Sequence, residues 1–299
     1  MTKCDILIIG AGPAGLSAAS YSARAGYNTI ILDGMGAGGQ LMFIDKIENY
    51  PGVQEISGYE LAERFEKQCD EFGVQLEYAN VTAIEKNDTG FIAKTDGGEF
   101  ESKALIVATG ASHRHLGVEG EEEYKGRGVS YCATCDGPFF KGKSVIVVGG
   151  GDTALTDAIY LSKLCKDVTV IHRRDEFRAQ KILQDRIKNI ENIKTIMSNN
   201  IKTINGDGNK VTSVTLLDGS ELKTDGIFVL VGTIPNSNLV STLSETKNGY
   251  IITNDKMETS CPGLFASGDV RNTPFRQVVT AAGDGAMAAH SADEYIQNL

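Results

Sequence analysis

Two cysteines sit three positions apart in the stretch SYCATCDGPFF, residues 130–140, and an aspartate follows them at once. A pair at this spacing can hold a metal, lock a loop or carry electrons. A structural zinc site takes four nitrogen or sulfur ligands, usually as two close pairs. Here there is one pair. Of the six cysteines, Cys4, Cys69, Cys165 and Cys261 are single and scattered, and no H-x-x-x-H occurs. No metal is expected, and the four single thiols read as small buried hydrophobes. A redox role fits better. Cys132 and Cys135 can close a small disulfide, which exchanges with other thiols through a mixed disulfide. Asp136 stands where a carboxyl can give a proton to a departing thiolate and take it back, or else it simply opens the D-G bend.

Redox chemistry needs an electron source, and the chain carries two stretches suited to one. Residues 4–33 and 144–173 each show a β-branched run, a glycine turn, an Ala-rich helical stretch and a second β-branched run. That is a βαβ unit. The turns are G-A-G-P-A-G, Gly10 to Gly15, and G-G-G-D-T-A, Gly149 to Ala154. Both fit G-x-G-x-x-G/A between strand and helix. Such a turn brings backbone close to a pyrophosphate and aims free N–H groups of a helix start at it. From the first glycine to the end of the next strand, both units span 23 positions, to Asp33 and to His172. Asp33 is a carboxylate, which accepts from a ribose 2′-hydroxyl and repels a 2′-phosphate. His172 is followed by Arg173 and Arg174, with Arg178 one turn on. These guanidinium forks match a 2′-phosphate; the alternative is a solvated charge run at a strand end. The first site therefore suits FAD or NAD, and the second NADP(H). One chain with both implies a bound relay, FAD, and a diffusible donor, NADPH.

The wider composition agrees. A chain of 299 residues is long enough for two domains. Its net charge of −10 and pI of about 5.0 oppose a nucleic-acid backbone binder. The run MTKCDILIIGAG breaks into glycines, so it reads as neither a signal peptide nor a membrane span. No membrane association is expected. A cytoplasmic protein is, and there structural disulfides are rare, which favours a redox pair. Weaker strand patterns with turns at Asn87–Gly90 and Asp96–Gly98 lie between the units, and polar linkers are read at 112–128 and 236–249.

On these motifs the sequence resembles the low-molecular-weight thioredoxin reductases, class II of the pyridine nucleotide–disulfide oxidoreductases. The resemblance covers essentially the whole chain. Further shared motifs are G-G-Q-L at 38–41, E-N-Y-P-G at 48–52, A-T-G at 108–110, H-R-R-D-E-F-R-A at 172–179, F-A-S-G-D-V at 265–270 and R-Q-V-V-T-A-A-G-D-G at 276–285. It implies an α/β fold of two Rossmann-like, three-layer dinucleotide-binding domains. The NADPH domain, 115–246, would carry the C-x-x-C and be inserted in an FAD domain made of 1–114 and 247–299. By the same resemblance Gly10, Gly12, Pro13, Ala14 and Gly15 hold the FAD pyrophosphate, with Asp33 and Gly34 at the ribose. Gly38, Gly39, Gln40, Leu41, Asn49, Val81, Ala108, Thr109 and Gly110 would line the rest of the flavin site. Gly268, Asp269, Arg276, Gln277 and Val278 would complete it. Gly149, Gly151, Asp152, Thr153, Ala154, His172, Arg173, Arg174 and Arg178 would hold NADPH.

The implied reaction passes a hydride from NADPH to FAD, reduces the Cys132–Cys135 disulfide, and then reduces the disulfide of thioredoxin. Cys135 would face the flavin and Cys132 would attack the partner. Both the cysteine pair and the nicotinamide must reach one flavin, so the inserted domain is expected to rotate about hinges near 112–118 and 243–249. A homodimer is implied by resemblance alone. One departure stands out: Thr156 and Asp157 occupy places where relatives often carry two glutamates. Lys125, Arg127, Phe139 and Phe140 flank the cysteines, as docking groups or as core and solvated residues. His113, His115 and His290 have no ligand spacing and read as surface or structural. Alternatives on the same scaffold are a flavin-dependent oxidase of a small dithiol, marked by oxygen dependence, and a ferredoxin-fed variant, which would lack the arginine pair. A non-catalytic electron carrier would reduce no disulfide with NADPH.

Overall fold

The computed structural model describes residues 1–44 and 47–299. The chain divides into two compact units. Met1–Ser112 with Ile234–Leu299 form unit 1, and His113–Thr233 form unit 2.

Unit 1 begins with β1 (Thr2–Ile9), α1 (Pro13–Arg24) and β2 (Thr29–Asp33). The run Ile6–Ile9 is apolar at every position because this strand is covered on both faces. α2 (Gly58–Glu71) is started by a capping box. The Ser57 hydroxyl accepts from the Glu60 N–H while the Glu60 carboxylate accepts from the Ser57 N–H. β3 (Gln75–Tyr78) follows, then β4 (Val81–Asn87), β5 (Gly90–Thr95) and β6 (Gly98–Val107). β1, β2, β3 and β6 run parallel in the order β3-β2-β1-β6, while β5 pairs antiparallel with β6 and β4 antiparallel with β5.

The chain leaves unit 1 through β7 (Ala111–His113) and builds unit 2. β8 (Val129–Ser130) leads into the short helix α3 (Ala133–Asp136), then come β9 (Ser144–Val148), α4 (Asp152–Ser162), β10 (Asp167–Ile171), α5 (Lys181–Lys188) and β11 (Ile193–Ile196). β12 (Ile201–Gly206), β13 (Val211–Leu216) and β14 (Glu221–Lys223) make an antiparallel meander, and β15 (Gly226–Val229) completes a parallel sheet in the order β11-β10-β9-β15-β8. β16 (Thr233–Pro235) returns beside β7. β17 (Thr246–Lys247) and β18 (Tyr250–Ile251) form a small hairpin. β19 (Leu264–Ala266) adds to β6, and α6 (Val278–Gln297) packs on α1.

Each unit is a parallel sheet with helices and an accompanying antiparallel β-meander. The fold is thus α/β with two Rossmann-like halves, one inserted in the other. The crossings fall at 112/113 and 233/234 rather than at the expected 114/115 and 246/247. Residues 236–246 belong to unit 1 for a physical reason. The Asn236 N–H bonds the Gly110 carbonyl at 3.0 Å, the Ser237 hydroxyl bonds the Gly249 carbonyl at 2.5 Å, and Val240 is fully buried in the unit 1 core.

Candidate active site

The first glycine turn joins β1 to α1. Gly10 has a φ of +103°, and a Cβ there would lie 2.4 Å from the Ala108 carbonyl oxygen. A Cβ on Gly15 would lie 1.8 Å from the Gly10 carbonyl oxygen, so the helix can only approach the turn without a side chain at that position. Gly12 is different: a Cβ there would meet nothing within 4 Å. It is the N-cap of α1, makes no side-chain cap bond, and is followed by Pro13. The open space therefore lies where free N–H groups point, which is what a phosphate requires. The Gly39 backbone closes one side, with its Cβ position 3.2 Å from the Gly12 Cα. Gly38 donates to the Ala11 carbonyl at 2.7 Å.

Asp33 ends β2. One carboxylate oxygen accepts from the Ala11 N–H at 2.8 Å; the other accepts from Met35 N–H at 2.8 Å and Gly36 N–H at 3.2 Å. The residue therefore ties the turn to the strand end. Gly34 faces Asn80, whose amide oxygen would lie 2.0 Å from a Cβ, and Val81 follows at the start of β4. The Gln40 amide donates to the Ala111 carbonyl and Leu41 is buried. Thr109 bonds Asn236, its hydroxyl donating to that backbone carbonyl at 2.7 Å. The Asn49 amide donates to the Gln277 side-chain oxygen at 3.0 Å, which unites two residues distant in sequence. Gln277 caps α6 and Val278 opens it.

Near the same helix, Gly268 takes a φ of +72° and donates to Asp284 at 3.2 Å, and Asp284 pairs with Arg271 at 3.3 Å. Burial pushes the Asp269 carboxyl up, while the Arg276 cation pulls it back. Arg276 lies 4.4 Å from the Tyr250 ring centroid, and its buried Nε has no hydrogen-bond partner among the described residues. A buried orphan donor beside a partly buried carboxyl is what a polar cofactor chain would satisfy. The residues present thus fit a dinucleotide.

The second turn repeats the first with different readers. Gly149 has a φ of +153° and is pressed against the Leu230 carbonyl. Gly151 again faces open space at the start of α4, without a side-chain cap. Thr153 is exposed and Ala154 buried. The Asp152 carboxylate is engaged by Gln180, accepting its N–H at 2.7 Å and its amide at 3.1 Å. His172 is buried beneath Gly150, whose Cβ would strike the imidazole at 2.3 Å, and its ring stacks on Phe177 at 5.6 Å. Burial, helped by Arg178, Arg174 and Arg173, holds this histidine below its ordinary pKa. The three arginines are exposed, and Arg178 donates from its backbone to Gly150 at 2.8 Å, so their segment folds back over the turn.

Cys132 and Cys135 form a disulfide, with Cα atoms 5.3 Å apart, at the start of α3. The Cys135 N–H points at the Cys132 sulfur at 3.2 Å. The Ser130 hydroxyl donates to Asp136 Oδ2 at 2.6 Å, and the Cys132 N–H donates to Ser130 Oγ at 3.1 Å. The next side chain, Tyr131, is anchored too. Its hydroxyl donates to Glu121 at 2.9 Å and meets His115 Nδ1 at 2.9 Å, and its ring stacks on His113. His113 and His115 therefore serve structure, and His290 is an exposed helix residue near Glu294. Phe140 packs edge-on against Phe228 at 5.3 Å, so it belongs to the core and not to a docking surface. Phe139 is 41% exposed. Arg127 donates to the carbonyls of Gly208 and Glu123, and Lys125 lies 3.7 Å from Glu122. The four single cysteines are all buried thiols.

The sequence model of the pyridine nucleotide-disulphide oxidoreductase family matches residues 4–285. The chain belongs to this family. Its relatives include the thioredoxin reductase of Treponema pallidum, 46% identical over 100% of this chain and 99% of that protein. The thioredoxin reductase of Bacillus subtilis is 43% identical over 99% of this chain and 95% of that one. The crystal structure of thioredoxin reductase from Streptococcus pyogenes superposes with a TM-score of 0.94 at 44% identity, covering 100% and 99% of the two chains. As a member of this oxidoreductase family the chain is a flavoprotein that uses FAD and NADPH. No helix among the described residues is long and apolar enough to cross a membrane.

Sequence reasoning missed several residues that shape these sites. Ser130 had a local signal, a hydroxyl two positions before the first cysteine. Asn236 and Tyr250 had none, because each meets its partner only through the fold: Thr109 is 127 positions from Asn236.

Proposed function

We propose that this chain is an NADPH-dependent thioredoxin-disulfide reductase. The observation that carries the reading is the closed Cys132–Cys135 disulfide beside Asp136, in the unit that also holds the arginine-flanked glycine turn. The turn at Gly10–Gly15, with Asp33, Gly39, Asn49, Asp269, Arg276 and Gln277, would hold FAD. The turn at Gly149–Ala154, with Arg173, Arg174 and Arg178, would hold NADPH through its 2′-phosphate. When bound, FAD supplies the two-electron relay between the nicotinamide and the disulfide.

The protein's own chemistry is the exchange that follows. In the reduced pair the Cys132 thiolate attacks one sulfur of the partner's disulfide, and the other partner sulfur leaves as a thiolate. Cys135 then attacks the Cys132 sulfur, closing the enzyme disulfide and releasing the second partner sulfur. Two electrons and two protons pass to the partner. Asp136 gives and recovers the proton of the leaving thiolate. The chain crossings at 112/113 and 233/234, the second in place of the expected 243–249, which lies within unit 1, would serve as the hinge that lets unit 2 present the disulfide or the nicotinamide in turn. A crosslink between the units that left both half-reactions at full rate would refute this hinge.

The acidic net charge and the redox pair favour a cytoplasmic enzyme. Two copies are proposed to pair through unit 1, where Tyr59 and Phe275 leave apolar surface exposed; sedimentation equilibrium would report the mass. The deciding experiment is anaerobic titration of the flavin-loaded protein. NADPH is expected to bleach the flavin and oxidised thioredoxin to restore it, with NADH ineffective and Cys132→Ser unable to pass electrons on. Thioredoxin reduction at the native rate by Cys132→Ser would sink the mechanism.

A further inference from the structure

We propose that Ser130 is a positioning residue for dithiol–disulfide exchange, holding the Asp136 carboxyl and the Cys132 peptide in one hydrogen-bonded chain. This rests on the reading of Asp136 as the proton carrier.

A serine hydroxyl has one proton to donate and two lone pairs to accept with. Ser130 Oγ has two candidate acceptors, Asp136 Oδ2 at 2.6 Å and the Cys132 carbonyl at 3.3 Å. The shorter distance is that of a charge-assisted O–H···O⁻ bond, and the longer one lies outside the ordinary O–H···O range. The proton therefore belongs to the Asp136 bond. The Cys132 N–H, at 3.1 Å, fills a lone pair of the same oxygen. With the carboxylate ionised, the bonds run in one sense: Cys132 N–H to Ser130 Oγ–H to the Asp136 carboxylate. Each bond in such a chain polarises the next.

Ser130 is itself held firmly. It is 5% exposed and lies in β8, where it pairs with Phe228 of β15. Two positions earlier the Gly128 carbonyl accepts from the Ile227 N–H at 2.7 Å, and the following Tyr131 is pinned by Glu121 and His115. A hydroxyl fixed on both sides fixes what it bonds. Asp136 is thereby returned to one place after each proton it gives, at a set distance from the peptide that carries the attacking sulfur. A serine that only filled space would need no carboxylate at hydrogen-bond distance.

The test uses the flavin-loaded protein, reduced with dithiothreitol and freed of it. Two rates are followed across the pH range: alkylation of the dithiol by iodoacetamide, and reduction of a small aromatic disulfide. Neither requires thioredoxin. Ser130→Ala is expected to slow exchange about tenfold and to show the pH profile of Asp136→Asn. Ser130→Thr, which keeps the hydroxyl, is expected to restore the rate, and Ser130→Val, its isostere without one, to fail. The double variant Ser130→Ala with Asp136→Asn should be no slower than Asp136→Asn alone, since a residue acting through another adds nothing once that other is gone. Equal losses in both backgrounds, or Ser130→Val matching Ser130→Thr, would overturn the proposal. Should Ser130→Ala fail to fold, the Thr and Val pair decides by itself. If the wild type reduced the small disulfide with this pattern but not thioredoxin, Ser130 would keep its role and the partner assignment would fall.

Discussion

The two glycine turns share one backbone device and differ in what surrounds it. In unit 1 the third position is Gly15, and the helix sits so close that a methyl group would lie 1.8 Å from the Gly10 oxygen. In unit 2 the same position is Ala154, which is buried and tolerated. Unit 1 ends its second strand in Asp33, which spends one carboxylate oxygen on the turn's Ala11 N–H and the other on the N–H groups of Met35 and Gly36 just beyond the strand. Unit 2 ends its second strand in a buried histidine, held below its ordinary pKa by burial and the nearby arginines, with the charge carried outside by those three arginines. The tighter turn suits a cofactor that stays; the looser one with exposed cations suits a nucleotide that comes and goes.

Breaking the tight turn should have the largest effect. Gly15→Ala is expected to destabilise unit 1 by about 3 kcal/mol and to yield protein without bound flavin, whereas Ala154→Gly should cost only about 1 kcal/mol. Thermal unfolding with flavin absorbance checks both, and equal costs would erase the distinction. Next comes the charge outside the loose turn. Replacing Arg173 and Arg174 together by alanine should raise the KM for NADPH on the order of 100-fold, a loss of roughly 2.7 kcal/mol, and leave NADH turnover and flavin content unchanged. Asp33→Asn tests the other reader. It should weaken flavin retention by about 1–2 kcal/mol, seen as faster flavin release on dilution, without altering the KM for NADPH.

The smallest expected effect concerns α4 itself. Burial pushes the Asp157 carboxyl up to about 6. Its folded pKa lies above the unfolded value, so ionising it opposes folding. The cost is absent below about pH 4, where both states are protonated, grows through about pH 6 and is complete above it. Asp157→Asn should therefore stabilise the protein at pH 8 by about 1–2 kcal/mol, once solvent screening is allowed for, and not at pH 4. A stabilisation independent of pH would place its origin elsewhere.

Much of this was legible in the chain because it depends on local chemistry. Glycines at fixed spacing between a β-branched run and an Ala-rich run can make few other structures, and the C-x-x-C closes its own small ring. The residues at 172–174 were legible as a set but not in their division of labour. His172 occupies the strand end where a ribose reader is expected, yet its ring is buried under Gly150, a contact set by how β10 lies against the turn. Phe139 and Phe140 look alike in sequence; only the packing of Phe140 on Phe228 separates core from surface.

The sequence by itself determined the two glycine turns, the C-x-x-C pair and the order in which they occur, because each is written within about thirty residues. It also determined the sign of the charge that each strand end offers a nucleotide. Tertiary structure decided where unit 2 ends, since the pull of 236–246 toward unit 1 comes from bonds to Gly110 and Gly249 and from the burial of Val240. It decided that Asn49 meets Gln277 and that Arg276 meets Tyr250. Such contacts join residues far apart along the chain, and no local pattern encodes them; they exist only once burial has brought the strands and helices together.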